Sequence, residues 1–185
     1  PIFSVAGEPY NALLARIEAD VAALKTDAPD VPERHRSLAT VLAEATRALR
    51  TRERRALYAL ALFPGGFSSA AAEAVAGVHP PLLQRLAGAA LVRRTEAGRF
   101  VMHELVRRYA LGRLEPRARG ELEARYVAYH VGLLGRLRVE LRGEGHAAAR
   151  RRLVAEVPNL RHAVEVGLRS GPAALADAMG PLVAV

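Results

Sequence analysis

The Met102-His103-Glu104 triplet holds the residue in this sequence best placed for chemistry, because His103 follows a predicted strand and begins a predicted helix. The first turn of a helix has free backbone N–H groups and the positive end of the helix dipole, and both favour an anion. An imidazole at that position adds one more donor to a bound phosphate. The alternative is that His103 only caps its own helix or bonds locally.

Metal and nucleophile chemistry find little support in the remaining residues. The other five histidines include no pair spaced to bind a metal ion from one helix: His35, His79, His130, His146 and His162. No serine lies in the sharp glycine-flanked turn that exposes a hydrolase nucleophile. We therefore expect no catalytic residue and no metal site, and predict that the chain is not an enzyme. His130 is predicted to be a partly buried packing residue, and His35 a linker or interdomain contact.

A phosphate-binding loop is also missing from the sequence. Such a loop needs glycines that let the backbone wrap phosphate and a Gly-Lys-Ser/Thr that contacts phosphate and magnesium. The only lysine, Lys25, lies in Ala-Ala-Leu-Lys-Thr on a predicted helix. Gly65-Gly66 lacks the other elements and is predicted to be a turn. We expect no cofactor held by this chain itself.

Composition sets the broad class of the protein. The chain has 185 residues, of which 51 % are hydrophobic and 25 % charged, and this is typical of a globular protein. It has no cysteine, which fits a reducing compartment, so we expect a cytoplasmic protein. The longest apolar run, residues 57–63, is far shorter than the ~20 residues of a spanning helix, so we expect no membrane partner.

Arginine dominates the net charge of +8, since Lys25 is the only lysine among 27 basic residues. The excess is spread along the chain, whereas a nucleic-acid footprint is usually concentrated. The densest stretch is predicted to contact phosphates, to pair with carboxylates of a neighbouring domain, or to be a solvated face: Arg47, Arg50, Arg52, Arg54 and Arg55.

Apolar spacing and turn residues predict a mostly α-helical protein with one β-hairpin. Helices with clear bounds are predicted at residues 10–25, 52–63, 80–90, 103–114 and 173–182. Three more are predicted from their end signals: one capped by Ser37, one from Ser68 or Ser69 to Gly77, and a long one after Pro116. The remaining helix is predicted at residues 146–168, with a break near Pro158. The hairpin has strands at residues 91–94 and 99–102 joined by a turn at 95–98.

The order of these elements predicts three parts. Residues 1–32 are a helical arm and linker, and residues 33–114 have the helix and hairpin order of a winged-helix domain. Residues 115–185 are antiparallel helical hairpins that begin a tetratricopeptide-like repeat region, in which each unit needs a neighbour to bury its apolar face.

Three separated segments resemble the bacterial STAND signal-transduction ATPases, relatives of the NB-ARC proteins, and they occur in the order seen in that family. They are residues 31–38 (VPERHRSL), residues 60–68 (LALFPGGFS) with the alanine-rich stretch that follows, and residues 99–110 (RFVMHELVRRYA). Residues 157–162 (VPNLRH) resemble the family's first repeat junction. Many members of the family are transcriptional regulators.

The resemblance implies that this chain is a regulatory piece of a longer ATPase. The phosphate-binding loop would lie in another part of that ATPase. In that family the winged helix closes over ADP or ATP with magnesium, held by the nucleotide-binding domain of the same chain, and a Met-His-Asp histidine faces the ADP phosphates. Here Met102, His103 and Glu104 occupy the motif, with glutamate in place of aspartate. Candidates for phosphate or interdomain contacts are Arg34, Arg36, Arg93, Arg94 and Arg99.

Two other functions stay open at this point. A winged helix can bind DNA through its third helix, but residues 80–90 offer only Gln84 and Arg85 as large polar side chains, so we expect weak, sequence-independent binding at most. The second is a protein-interaction scaffold that recruits partners through the helical repeats.

Overall fold

The computed structural model describes residues 40–143 and 145–170, which are mostly helical with one small antiparallel sheet. In chain order the elements are α1 (residues 40–47), α2 (Thr51–Leu60), α3 (Ser69–Ala76), α4 (Pro80–Gly88), β1 (Arg93–Arg94), β2 (Phe100–Val101), α5 (Glu104–Leu111), α6 (Pro116–Glu140) and α7 (His146–Ser170). The predicted arm helix at residues 10–25, the Ser37 cap and the helix at residues 173–182 lie outside the described residues.

Local capping signals fix several helix ends. The Ser68 hydroxyl accepts a hydrogen bond from the Ala71 N–H at 3.1 Å and begins α3, and Gly77 ends it with a left-handed φ of 64°. Prolines occupy the first turns of α4 and α6, where the missing N–H is not needed. The sequence prediction of these boundaries is confirmed to within a few residues.

The β-hairpin is shorter than the sequence predicts. Arg93 pairs with Val101 and Arg94 with Phe100, while Phe67 forms an additional bridge to Phe100. The predicted strand at residues 91–94 begins late because the Leu91 N–H bonds back to the Leu86 carbonyl at the end of α4. The hairpin is therefore attached on one side to α4 and on the other to the segment that precedes α3.

Helix α7 is continuous, so the predicted break near Pro158 was wrong. A proline inside a helix removes one backbone hydrogen bond and usually bends or ends the helix. Here Glu156 and Asn159, on either side of the proline, are both buried and hydrogen bonded to other elements. Anchors on both sides hold the helix together across Pro158.

One hydrophobic core spans most of the described chain. It contains apolar side chains from α1 to α5 together with Leu122 and Tyr126 of α6 and Ala163 of α7. The core therefore continues across residues 114 and 115, where the sequence predicted a domain boundary. Two smaller clusters join α6 and α7 as an antiparallel pair: Val127, Val131 and Val166, and Leu133, Leu137 and Ala149.

Length and apolarity together rule out a membrane-crossing helix in residues 40–143 and 145–170.

Candidate functional site

His103 lies at the N-cap of α5, where its side chain bonds to its own helix. The Nδ1 atom accepts a hydrogen bond from the Leu105 N–H at 3.3 Å. Because Nδ1 is the acceptor, the proton of the neutral ring is on Nε2, which has no partner among the described residues. The ring is half-buried. The capping role is thus present, and the second nitrogen of the ring is left as a donor.

Glu104 is held by arginines of its own helix. Its carboxylate accepts hydrogen bonds from Arg107 Nε at 2.7 Å and Arg108 Nε at 2.8 Å, and Arg107 also donates to the Ala61 carbonyl at 3.3 Å. The bond from Arg107 lowers the pKa of Glu104, with Arg108 adding to the effect. Met102, the first residue of the triplet, is half-buried and packs against the core.

The three candidate arginines in the described part of the chain do not form one cluster. Arg93 and Arg94 are exposed side by side on β1, whereas the guanidinium of Arg99 is turned toward α7 and pairs with Glu156. Arg34 and Arg36 lie outside the described residues. Among the described candidates, Arg99 therefore makes an intramolecular contact between the hairpin and the last helix.

Helix α4 has few polar side chains that could recognise DNA bases. Arg85 forms an ion pair with Glu53 of α2 at 3.2 Å, and Glu53 also caps the start of α2 by accepting the Arg50 N–H at 2.9 Å. Gln84 is then the one long polar side chain of α4 without such a partner among the described residues. Base recognition in the major groove needs several long donors and acceptors on one face.

A buried polar cluster connects the Gly65-Gly66 turn to α7, and we call it the turn clamp: Gly65, Gly66, Arg99, Glu156 and Asn159. The Gly65 N–H donates to Asn159 Oδ1 at 2.9 Å, and Asn159 Nδ2 donates to the Gly66 carbonyl at 2.8 Å. Asn159 is 1 % exposed. One amide side chain therefore binds both a donor and an acceptor of the turn.

Arg99 closes the turn clamp from the hairpin. Its guanidinium donates to the carbonyls of Gly65 at 3.3 Å and Gly66 at 3.2 Å, and to Glu156 Oε1. The second oxygen of Glu156 accepts from Asn159 Nδ2 at 2.6 Å. A buried carboxylate is stabilised only when it is paired and hydrogen bonded, and Glu156 meets both conditions.

Tyr126 and His130 of α6 lie behind the clamp. The Tyr126 hydroxyl donates to the Asn159 carbonyl at 3.1 Å, and His130 Nδ1 donates to the Tyr126 carbonyl at 2.7 Å. His130 Nε2 has no hydrogen-bond partner in the described part of the chain and lies 4.0 Å from Glu156 Oε2. Burial lowers the pKa of His130 and raises the pKa of Tyr126. His130, predicted to be partly buried, is 1 % exposed.

Sequence reasoning missed the clamp as a unit. It singled out residues 60–68 and 157–162 as separate motifs, and the structure brings them into contact across 94 positions. A signal existed in the asparagine that follows a proline in an otherwise amphipathic helix, with Glu156 three residues before it. Periodicity identifies a helix face, but it does not identify the distant residue that the face meets.

The arrangement is suited to holding elements together. Most of its polar groups are hydrogen bonded to one another. Within residues 40–143 and 145–170, no group of three or more histidine and acidic side chains is placed to bind a metal ion. Among the described candidates, His103 Nε2 has no hydrogen-bond partner, and the two arginines of β1 are exposed.

Comparison of the chain with protein-family models, curated proteins and solved structures gave no match.

Proposed function

We propose that this chain is a non-catalytic regulatory module of a STAND-type ATPase and transcriptional regulator. Its winged-helix unit closes on the nucleotide-binding domain of the same longer chain, which binds ADP or ATP with magnesium in the cytoplasm. Helices α6 and α7 begin a repeat region that receives a signal from a protein partner. The module links the nucleotide-binding domain to the repeat region without performing chemistry itself.

Two features of the fold support the proposal. The order α2, α3, α4, β1 and β2 is that of three helices followed by a wing. Helices α6 and α7, each 25 residues long, form an antiparallel pair of the kind that stacks in helical repeats. Exposed apolar side chains on α7, including Val154, Val164 and Leu168, suit a stacking neighbour.

The turn clamp is the observation that carries the coupling role. A regulatory module must transmit a change at its sensor to its nucleotide-facing part, and this requires a physical connection with defined geometry. The clamp joins α7 directly to the turn between α2 and α3 and, through Arg99, to the hairpin. The hairpin leads within two residues to His103, at the predicted nucleotide-facing end.

The test is the rate of ADP release from the full-length parent protein with Asn159→Ala. Removing the amide leaves the Gly65 N–H and Gly66 carbonyl without their bonds, so α7 no longer holds the turn, and we expect release to change by at least about fivefold. Arg161→Ala is the matched control, since Arg161 is exposed on the same helix. Equal release rates for Asn159→Ala and the unchanged protein would contradict the coupling role.

A further inference from the structure

A surface groove of about 870 Å³ lies between α2 and the junction of α5 with α6. Five arginines line it, from three different places in the chain: Arg52, Arg54, Arg55, Arg113 and Arg125. The proposed function does not use this groove, which is separate from the turn clamp and from His103.

Among the described residues, carboxylates compensate only part of the positive charge of the groove. Arg52, Arg54 and Arg55 form no ion pair and no side-chain hydrogen bond with any described residue. Two carboxylates also line the groove, and one of them, Glu121, lies 3.6 Å from Arg117. By contrast, Arg99 and Arg107 are each paired with a carboxylate.

The floor of the groove is apolar. Tyr58, Leu82 and Leu114 are half-buried side chains that pack against the core with one side and line the groove with the other. Ala118 extends this surface along α6. Arginine stems can cover the edges of such a floor while their charged heads form a rim. The groove therefore presents an apolar strip between cationic edges.

We propose that this groove binds an acidic amphipathic helix of a partner protein. The apolar face of such a helix would lie on Tyr58, Leu82 and Leu114, and its glutamates or aspartates would pair with the arginine rim. A small anion would contact a few guanidinium groups and leave the apolar floor exposed to water. A DNA duplex would also leave the floor unused, because its phosphates contact only charged and polar groups.

The experiment uses the whole chain and a fluorescent peptide of about 18 residues with leucines on one helical face and glutamates on the other. Binding is followed by fluorescence anisotropy at about 0.05 M and about 0.3 M salt. We expect binding that weakens with salt and a loss of at least about tenfold for Arg52→Glu/Arg55→Glu, because two attractive charges become repulsive.

The matched control is Arg93→Glu/Arg94→Glu, which makes the same charge change on β1, away from the groove, and should alter affinity by less than about twofold. Arg52 and Arg55 are exposed near the start of α2, where a negative charge is favourable, so the variant is expected to fold. Arg52→Gln/Arg55→Gln gives a second, milder test and should lose affinity to a smaller extent.

Four results would overturn the proposal. Equal losses in both charge-reversal variants would show attraction to total charge alone, and equal binding of a peptide with lysines in place of glutamates would show that charge is irrelevant. Tripolyphosphate or a short DNA duplex that binds more tightly through the same arginines would identify a different ligand. Self-association of the chain that disappears in Arg52→Glu/Arg55→Glu would identify a second copy as the occupant.

Discussion

His103 illustrates how one side chain can serve the fold and remain available for a ligand. Its Nδ1 atom caps α5, and its Nε2 atom has no hydrogen-bond partner among the described residues. The substitution His103→Ala removes both nitrogen atoms at once. Serine keeps an N-cap acceptor but does not reach as far, so the two variants separate the structural role from the ligand-binding role.

We expect His103→Ala to lower the unfolding free energy of this chain by about 0.5–2 kcal/mol and His103→Ser to leave it nearly unchanged. In the longer ATPase of the proposed function, both variants should release ADP faster by ~10–150-fold, because the proposed charge-assisted hydrogen bond to phosphate, worth ~1.5–3 kcal/mol, is lost. Urea unfolding and stopped-flow ADP release measure the two effects. Faster release with alanine but not with serine would assign His103 to capping alone.

One buried histidine and one half-buried histidine predict how the unfolding free energy depends on pH. Burial lowers the pKa of His130 and His162 below the ordinary value of 6.5. Below that value the unfolded chain takes up protons that the folded chain does not, so the unfolding free energy should fall as the pH drops from about 7.5 to 5.5. Each histidine can contribute at most about 1.4 kcal/mol per pH unit.

Urea unfolding at constant ionic strength checks this dependence. The stability attributable to neutral His130 and His162 should be complete above about pH 7.5 and decline on acidification. His162→Gln should make the decline shallower, because one proton-binding group is removed from the unfolded chain. A free energy of unfolding that rises as the solution becomes more acidic would contradict the lowered pKa of these two histidines.

At the scale of elements, local chemistry explains which features the sequence predicts. Ser68, Gly77 and the prolines that begin α4 and α6 act on the residues beside them, so the helix ends follow from a few letters. The continuity of α7 depends on contacts with distant elements. For the same reason the Met102-His103-Glu104 triplet was found from the sequence and the turn clamp was not.

Two glycines, Gly66 in the turn between α2 and α3 and Gly77 at the end of α3, give a paired test of backbone geometry. Gly66 and Gly77 both have positive φ, 69° and 64°, but a Cβ on Gly66 would lie 2.5 Å from the Phe100 carbonyl oxygen, and one on Gly77 would meet nothing within 4 Å. Gly77→Ala should therefore cost only the conformational term of about 1–2 kcal/mol. Gly66→Ala adds a clash and should cost about 2–5 kcal/mol in total.

Thermal or urea unfolding of the two variants compares them directly. The difference between them isolates the clash with Phe100, because the conformational term is common to both. Equal losses would mean that the turn shifts away from the hairpin without cost, which the hydrogen bonds of Phe67 to Phe100 make difficult.

For the whole molecule, the shared core predicts unfolding in one step. Leu60 is completely buried in the core cluster that also contains Tyr126 and Ala163. Leu60→Ala should lower the unfolding free energy by ~2–5 kcal/mol, through lost burial and the cavity that remains. Tyrosine fluorescence and far-ultraviolet circular dichroism should report the same midpoint, since one cooperative unit unfolds.

Val139→Ala is the control for Leu60→Ala, because Val139 is 69 % exposed on α6 and its truncation should change stability by less than about 0.5 kcal/mol. Two separate transitions, with Leu60→Ala moving only the first, would show that residues before and after position 114 fold independently.

The turn clamp also has a consequence for biosynthesis. Asn159 is translated 94 residues after Gly65. At a synthesis rate of about 5–20 residues per second, Asn159 is added on the order of 5–20 s after the turn. During this interval the Gly65 N–H is hydrated, and α2 to α5 have no α7 against which to complete their core. A ribosome that stalls within α6 would therefore hold a nascent chain with an open apolar surface, a target for chaperones that closes only when α7 emerges.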